Sequence, residues 1–192
     1  MGRVIVLQAL ISRDLDPGAE RALLERLPYG RRLELERRDP QSRRASLLAV
    51  DLVLLGVSRV LGREVGVGEL SFPQGGKPCC PGGPFFSISH TARRVAVALC
   101  ADGELGIDLE DVPVDPGPAR AALARLERWT ATEATLKAAG LGLRDARRVD
   151  FDADHATATC QGAKYFLRPL SLGPDVVACL ATAAPVESVL VD

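Results

Sequence analysis

The chain has 192 residues, 47% of them hydrophobic and 26% charged, with a net charge of −1. That length and balance fit one compact unit, or two small halves packed together, and set aside the disordered and fibrous classes. With no basic surplus to replace phosphate counterions, nucleic acid is not the expected partner.

The apolar run from Val4 to Ile11 is too short to span a bilayer and lacks a small-residue cleavage site after it. It reads as a buried strand over Val4–Leu10 rather than a signal peptide, so a cytoplasmic protein without membrane association is expected. The five cysteines lack paired C-x-x-C spacing and are expected to be reduced thiols, several of them in apolar strands. After the Asp16-Pro17-Gly18 turn, Ala19, Ala22, Leu23 and Leu27 mark a short amphipathic helix. An arginine-rich stretch from Arg31 to Arg44 follows. Leu48, Leu52 and Leu55 then recur at helical spacing on a long helix from about Gln41 to Leu61, with Asp39-Pro40 as its start signal.

Glycine and proline fill Ser71 to Pro84, ahead of two strands, Phe85–Ser89 and Val95–Cys100, that form a hairpin. A third strand, Leu105–Glu110, follows Asp102-Gly103, and Pro113, Pro116, Gly117 and Pro118 make a breaker-rich linker. The second half repeats the plan: a long helix from about Ala119 to Gly140, then strands near Thr157–Cys160, Lys164–Leu170 and Val176–Thr182. Tyr165-Phe166 echoes Phe85-Phe86, and Val176–Ala181 echoes Val95–Cys100. The pattern predicts an α+β fold made of a pseudo-twofold pair of subdomains, each a long helix on a small antiparallel sheet. The halves are 1–103 and 104–192 of a single compact unit, and a site is expected where they meet.

In Gly106-Ile107-Asp108-Leu109-Glu110, strand alternation sends Ile107 and Leu109 to the core and both carboxylates to the other face. Two acids sharing one space repel each other, and a divalent cation converts that liability into a set of hard oxygen ligands. Read alone, the same pair is also a solvated strand face. Trp129, Glu133 and Lys137 stand four residues apart along one helical stripe closed by Gly140 and Gly142. A Glu–Lys helix pair worth ~0.3–0.5 kcal/mol is the plain structural reading. Against it, the chain places its only Trp here and this helix's only Lys one turn beyond a Glu. Ser87-Ile88-Ser89-His90-Thr91 puts two hydroxyls and an imidazole at a strand end, a group suited to phosphate oxygens or to a structural histidine. Gly75-Gly76-Lys77-Pro78 sets a cation in a flexible loop.

Taken in order, Gly76-Lys77-Pro78, Phe86-Ser87-Ile88-Ser89-His90-Thr91, Gly106–Glu110 and Trp129–Gly140 resemble the 4′-phosphopantetheinyl transferase superfamily, in its longer Sfp-type branch. The likeness extends from about Arg44 to Thr182. It implies transfer of the phosphopantetheine arm of coenzyme A to a serine of an apo acyl, aryl or peptidyl carrier protein, releasing adenosine 3′,5′-bisphosphate. It also implies a two-halved fold with the coenzyme in the cleft, and a monomer. By the same resemblance Asp108, Glu110 and Glu133 match metal ligands for Mg²⁺ or Mn²⁺. Glu133 is implied as the base and Lys137 as the diphosphate-binding lysine, while Lys77, Ser89, His90 and Arg44 match coenzyme-contacting positions. Arg43, Arg44, Arg120, Arg125 and Arg128 are candidates for docking an acidic carrier. The chain departs from the family pattern at Thr132, where many relatives have lysine, and in a shorter stretch between Glu110 and Trp129. Two rival readings are a family member that binds coenzyme A or a carrier without catalysis, and an unrelated Mg²⁺-dependent phosphohydrolase.

Overall fold

The computed structural model describes residues 2–11, 17–73, 76–113 and 120–192. In chain order these form β1 (Arg3–Leu10), α1 (Pro17–Arg26), α2 (Tyr29–Glu36), α3 (Pro40–Leu61), β2 (Phe85–His90), β3 (Arg94–Cys100) and β4 (Leu105–Asp111). Then come α4 (Arg120–Ala138), β5 (Val149–Phe151), β6 (Thr157–Cys160), β7 (Ala163–Leu170), β8 (Val176–Thr182) and β9 (Ser188–Val191). Helix α1 takes Pro17 and Gly18 into its first turn, where the sequence suggested a turn ahead of the helix. Proline is at home there, because the first helical N–H groups have no intrahelical acceptor anyway. Asp16, Gly75, Pro116 to Pro118 and the expected helix start at Ala119 lie outside the described residues.

Helix α3 begins and ends for local reasons. The Asp39 carboxylate accepts from the Ser42 N–H at 3.0 Å, Pro40 occupies the first turn, and Gly62 closes the helix with φ at +64°. Its Leu47, Val50, Val53 and Val57 pack with Leu7, Phe86, Val97 and Leu99 in one core. Gly56 allows the close approach, since a Cβ there would lie 2.5 Å from Leu99.

The strands form two sheets, ordered β2-β3-β1-β9 and β4-β8-β7-β6-β5. All neighbours are antiparallel except β9, which runs parallel to β1. In the first sheet β3 lies between β1 and the aromatic-led β2; in the second, β8 lies between β4 and the aromatic-led β7. The series β1, α3, β2, β3 is thus repeated by β4, α4, β7, β8. Helices α1 and α2 are extra in the first series, and β5 and β6 in the second. The β3–β4 turn separates the halves near residue 103, and β9 returns across that boundary to the first sheet.

A core shared by both sheets joins Val4, Val6, Ala96 and Ala98 to Leu105, Ile107, Leu109, Ala178 and Leu180. Helix α3 covers the outer face of the first sheet. Helix α4 covers the second, through Ala134 and Ala138 against Cys179 and Ala181. The layers therefore run helix, sheet, sheet, helix. All five cysteines are free, and Cys100, Cys160 and Cys179 are buried in strands. No helix among the described residues is long and apolar enough to cross a membrane.

Candidate metal centre

Strand β4 sends Ile107 and Leu109 into the shared core and turns Gly106, Asp108 and Glu110 toward α4. Gly106 sets the distance between the two elements: a Cβ there would stand 2.0 Å from the Ala134 carbonyl oxygen and 2.5 Å from the Ala138 nitrogen. The helix backbone therefore rests on the strand, and Glu133 and Lys137 are carried to the acids of β4. One carboxylate oxygen from each of Asp108, Glu110 and Glu133 lies within 4.8 Å of the others.

Asp108 is 3% exposed, although alternation alone left it free to face solvent. Its Oδ1 accepts from Ser89 Oγ at 2.7 Å and from Lys137 Nζ at 2.6 Å, and Lys137 Nζ also donates to Ser89 Oγ at 3.0 Å. Its Oδ2 is buried without any hydrogen-bond partner. An ionised oxygen left bare in a low-dielectric setting costs free energy unless a cation meets it. Three convergent carboxylates with one such bare oxygen make a donor set that fits a hard divalent cation.

The other two acids carry the strain of that crowding. Burial, then the Asp108 charge, raises the pKa of Glu110 and of Glu133 above the usual carboxylate range, with Lys137 acting in the opposite direction. Trp129 Nε1 donates to Glu110 Oε1 at 3.1 Å, and the indole N–H also favours the ionised form of Glu133.

The hydroxyls of β2 staple the two sheets at this point. Ser87 Oγ accepts from the Ile107 N–H at 3.1 Å, on the edge of β4 that no strand among the described residues pairs, and Ser89 is buried against Asp108 and Lys137. Ser89 thus serves inside the cluster. His90 is exposed at the end of β2, where desolvation of its inner edge and the Lys137 and Arg38 charges hold its imidazole below the usual pKa.

Lys77 and Arg44 stand apart from the acids. Lys77 Nζ donates to Glu104 Oε2 at 3.1 Å and to the carbonyls of Leu105 at 2.9 Å and Lys137 at 3.4 Å, fastening the Gly/Pro loop to the start of β4 and the end of α4. It borders a cavity of about 520 Å³ formed by Lys77 to Phe86, Glu104 and Ala138 to Gly140. Arg44 Nε donates to Glu20 Oε2 at 3.2 Å, and Arg43 binds the same carboxylate. Burial opposes ionisation of Glu20, but the two guanidinium groups outweigh it and hold its pKa low. Arg44 also lines a groove with Gln41, Ala92 and Arg93 beside the β2–β3 turn. Glu20 and Glu104 carry no signal in the sequence that marks them as partners of these cations, since each is one acid among many on an exposed-looking stretch.

Thr132 is buried and its hydroxyl donates to the Arg128 carbonyl at 2.8 Å, so this position faces protein. Arg128 stacks on Phe151 with 4.5 Å to the ring centroid. A larger groove, about 860 Å³, opens between the first half of α4 and β7–β8, and none of the three acids lines it. No protein-family model matches this sequence, and no curated protein is significantly similar to it.

Proposed function

We propose that this chain is a 4′-phosphopantetheinyl transferase, moving the phosphopantetheine arm of coenzyme A to a serine hydroxyl of an apo acyl, aryl or peptidyl carrier protein. The observation that carries the reading is the meeting of Asp108, Glu110 and Glu133 with a lysine ammonium at the junction of two similar halves. The order of motifs from Gly76-Lys77-Pro78 to Trp129–Gly140 supports it. Phosphoryl transfer asks a protein mainly to position reactants and neutralise charge, and this cluster contains the groups for both.

Asp108, Glu110 and Glu133 would hold Mg²⁺ or Mn²⁺. Bound there, the cation supplies neutralisation of diphosphate oxygens and of charge growing on the leaving group. The serine oxygen forms a bond to the phosphorus that bears the pantetheine arm, and the bond from that phosphorus to the bridging oxygen breaks. Adenosine 3′,5′-bisphosphate leaves with the electron pair. Glu133 accepts the serine proton, directly or through a water, being the carboxylate that α4 carries to the acids of β4. Lys137 uses two of its three N–H donors on Asp108 and Ser89, leaving the third for a phosphate oxygen of the substrate. His90, exposed at the lip, binds phosphate in this reading. Arg44 and Lys77 reach the coenzyme by exchanging Glu20 and Glu104 for its phosphates.

Intact-mass spectrometry of purified apo carrier proteins, incubated with this protein, coenzyme A and Mg²⁺ with and without EDTA, tests the proposal. The expected result is a gain of one phosphopantetheine per carrier that EDTA prevents. Coenzyme A binding with no gain on acyl, aryl or peptidyl carriers would instead identify a binding module. Coenzyme A consumed without any acceptor would point to a phosphohydrolase.

A further inference from the structure

Among the three acids, Asp108 is fixed by Ser89 and Lys137, and Glu133 is carried on a helix whose backbone rests on β4. Glu110 lies near the end of β4, one residue before the strand stops at Asp111. Its hydrogen-bond donor is the indole N–H of Trp129, at 3.1 Å. Trp129 is 40% exposed, so hydrophobic burial alone does not account for its place at the mouth of the cluster. A ring held there by core packing would be largely covered; this one keeps its N–H inward, between Glu110 on β4 and Glu133 one turn along its own helix.

The structure assigns to Trp129 the role of positioning residue for the cation, acting through Glu110. This inference rests on the metal reading of the three acids. An indole is a donor without charge. It orients the Glu110 carboxylate through Oε1 without adding a second cation that would compete with the metal. A lysine in its place would form an ion pair with Glu110 and lower the affinity for divalent ions. A phenylalanine would fill much of the same volume but leave Glu110 without its donor, free to swing toward solvent or toward Lys137. Outer partners of metal ligands commonly change affinity about 10- to 100-fold when removed. Because this bond is at the exposed lip, the loss expected here is about tenfold, the lower end of that range.

The test uses Mn²⁺ as the probe on the intact chain. Trp129 is the only tryptophan, so its fluorescence reports this one place. Mn²⁺, a paramagnetic quencher, should reduce the emission of the wild-type protein in a saturable way, and excess Mg²⁺ should restore it. Calorimetric titration then compares the wild type, Trp129→Phe, Glu110→Ala and the double variant. Trp129→Phe should bind Mn²⁺ about tenfold more weakly while its cation-free melting temperature stays at the wild-type value. In the Glu110→Ala background the Trp129→Phe change should have no further effect, because the residue acts through that carboxylate. Equal affinity of Trp129→Phe and wild type would overturn the inference and leave the metal site standing. A full tenfold loss that persists in the Glu110→Ala background would also overturn it. Absence of saturable Mn²⁺ binding by the wild type would overturn the metal reading itself, and the inference with it. If Trp129→Phe fails to fold, the wild-type quenching decides: emission untouched by Mn²⁺ that calorimetry shows to be bound places the cation away from Trp129 and refutes the role.

Discussion

Glu133 is held in an environment that favours its proton, which ties the stability of the fold to pH. Its pKa and that of Glu110 are raised, by burial first and by the Asp108 charge second. Between the ordinary glutamate value of 4.5 and the raised native value, the folded chain keeps protons that the unfolded chain has lost. Stability of the cation-free protein is therefore undiminished below that window and falls as pH rises through it. Glu133→Gln removes the ionisable group at nearly constant volume. We predict that this variant transfers no phosphopantetheine, yet melts a few degrees above the wild type at neutral pH in EDTA, a functional cost released as stability. Differential scanning calorimetry checks it, and a lower melting temperature for Glu133→Gln would contradict the account. Mg²⁺ should reverse the pH slope of the wild type, because binding requires both glutamates ionised and so strengthens as protons leave.

At the scale of elements, the site depends on how closely α4 lies on β4. Gly106→Ala places a methyl group 2.0 Å from a backbone oxygen and 2.5 Å from a backbone nitrogen, neither of which can rotate away. The helix has to lift, taking Glu133 and Lys137 off Asp108. The expected cost is about 2–3 kcal/mol in urea unfolding, in the range of overpacked cores, together with loss of Mn²⁺ binding. An unchanged urea midpoint would show that the contact is not tight. The same contact marks where the sequence stops being legible. Alternation identified which residues of β4 face inward, and Asp39-Pro40 announced α3. That Asp108 is buried follows from a glycine on one element meeting a carbonyl on another, which no local pattern records. Helix α2 is silent for a different reason. Leu35 is its one fully covered apolar residue, and its surface is held by the Arg31–Glu34, Arg32–Glu36 and Arg38–Glu34 pairs, so no apolar period appears. Strand β9 is four mostly exposed residues on a sheet edge, too short to alternate visibly. The ordered motifs, by contrast, could be read in sequence because each is compact along the chain, and the structure brings Ser89, Asp108, Glu110, Glu133 and Lys137 together.

At the scale of the whole molecule, the two halves are built to unfold together. The shared core between the sheets and the return of β9 to β1 argue for one transition. An ionic clasp works where the β2–β3 turn meets the end of β4. Arg93 meets Asp111 at 3.4 Å and Asp175 at 3.3 Å, while Arg94 meets Asp175 at 3.3 Å and Gln8 at 2.6 Å. The Val112 N–H also donates to the Asp175 carbonyl at 2.9 Å. These contacts fasten the turn that follows His90 to the end of β4, where Glu110 sits. Asp175→Ala deletes the carboxylate that both arginines share. The Arg93 pairs are largely solvated and contribute little, whereas the Arg94 side chain is only 13% exposed and keeps its charge when the partner goes. The variant should therefore lose about 1–2 kcal/mol, with a weaker effect at high salt because the Arg93 pair is screened. Urea titration followed by both tryptophan fluorescence and far-UV circular dichroism should give coincident single transitions for the wild type and for Asp175→Ala, the latter at lower denaturant. Two separate transitions in the wild type would mean that the shared core does not couple the halves. Separation only in Asp175→Ala would mean that the clasp, rather than the core, makes the molecule cooperative.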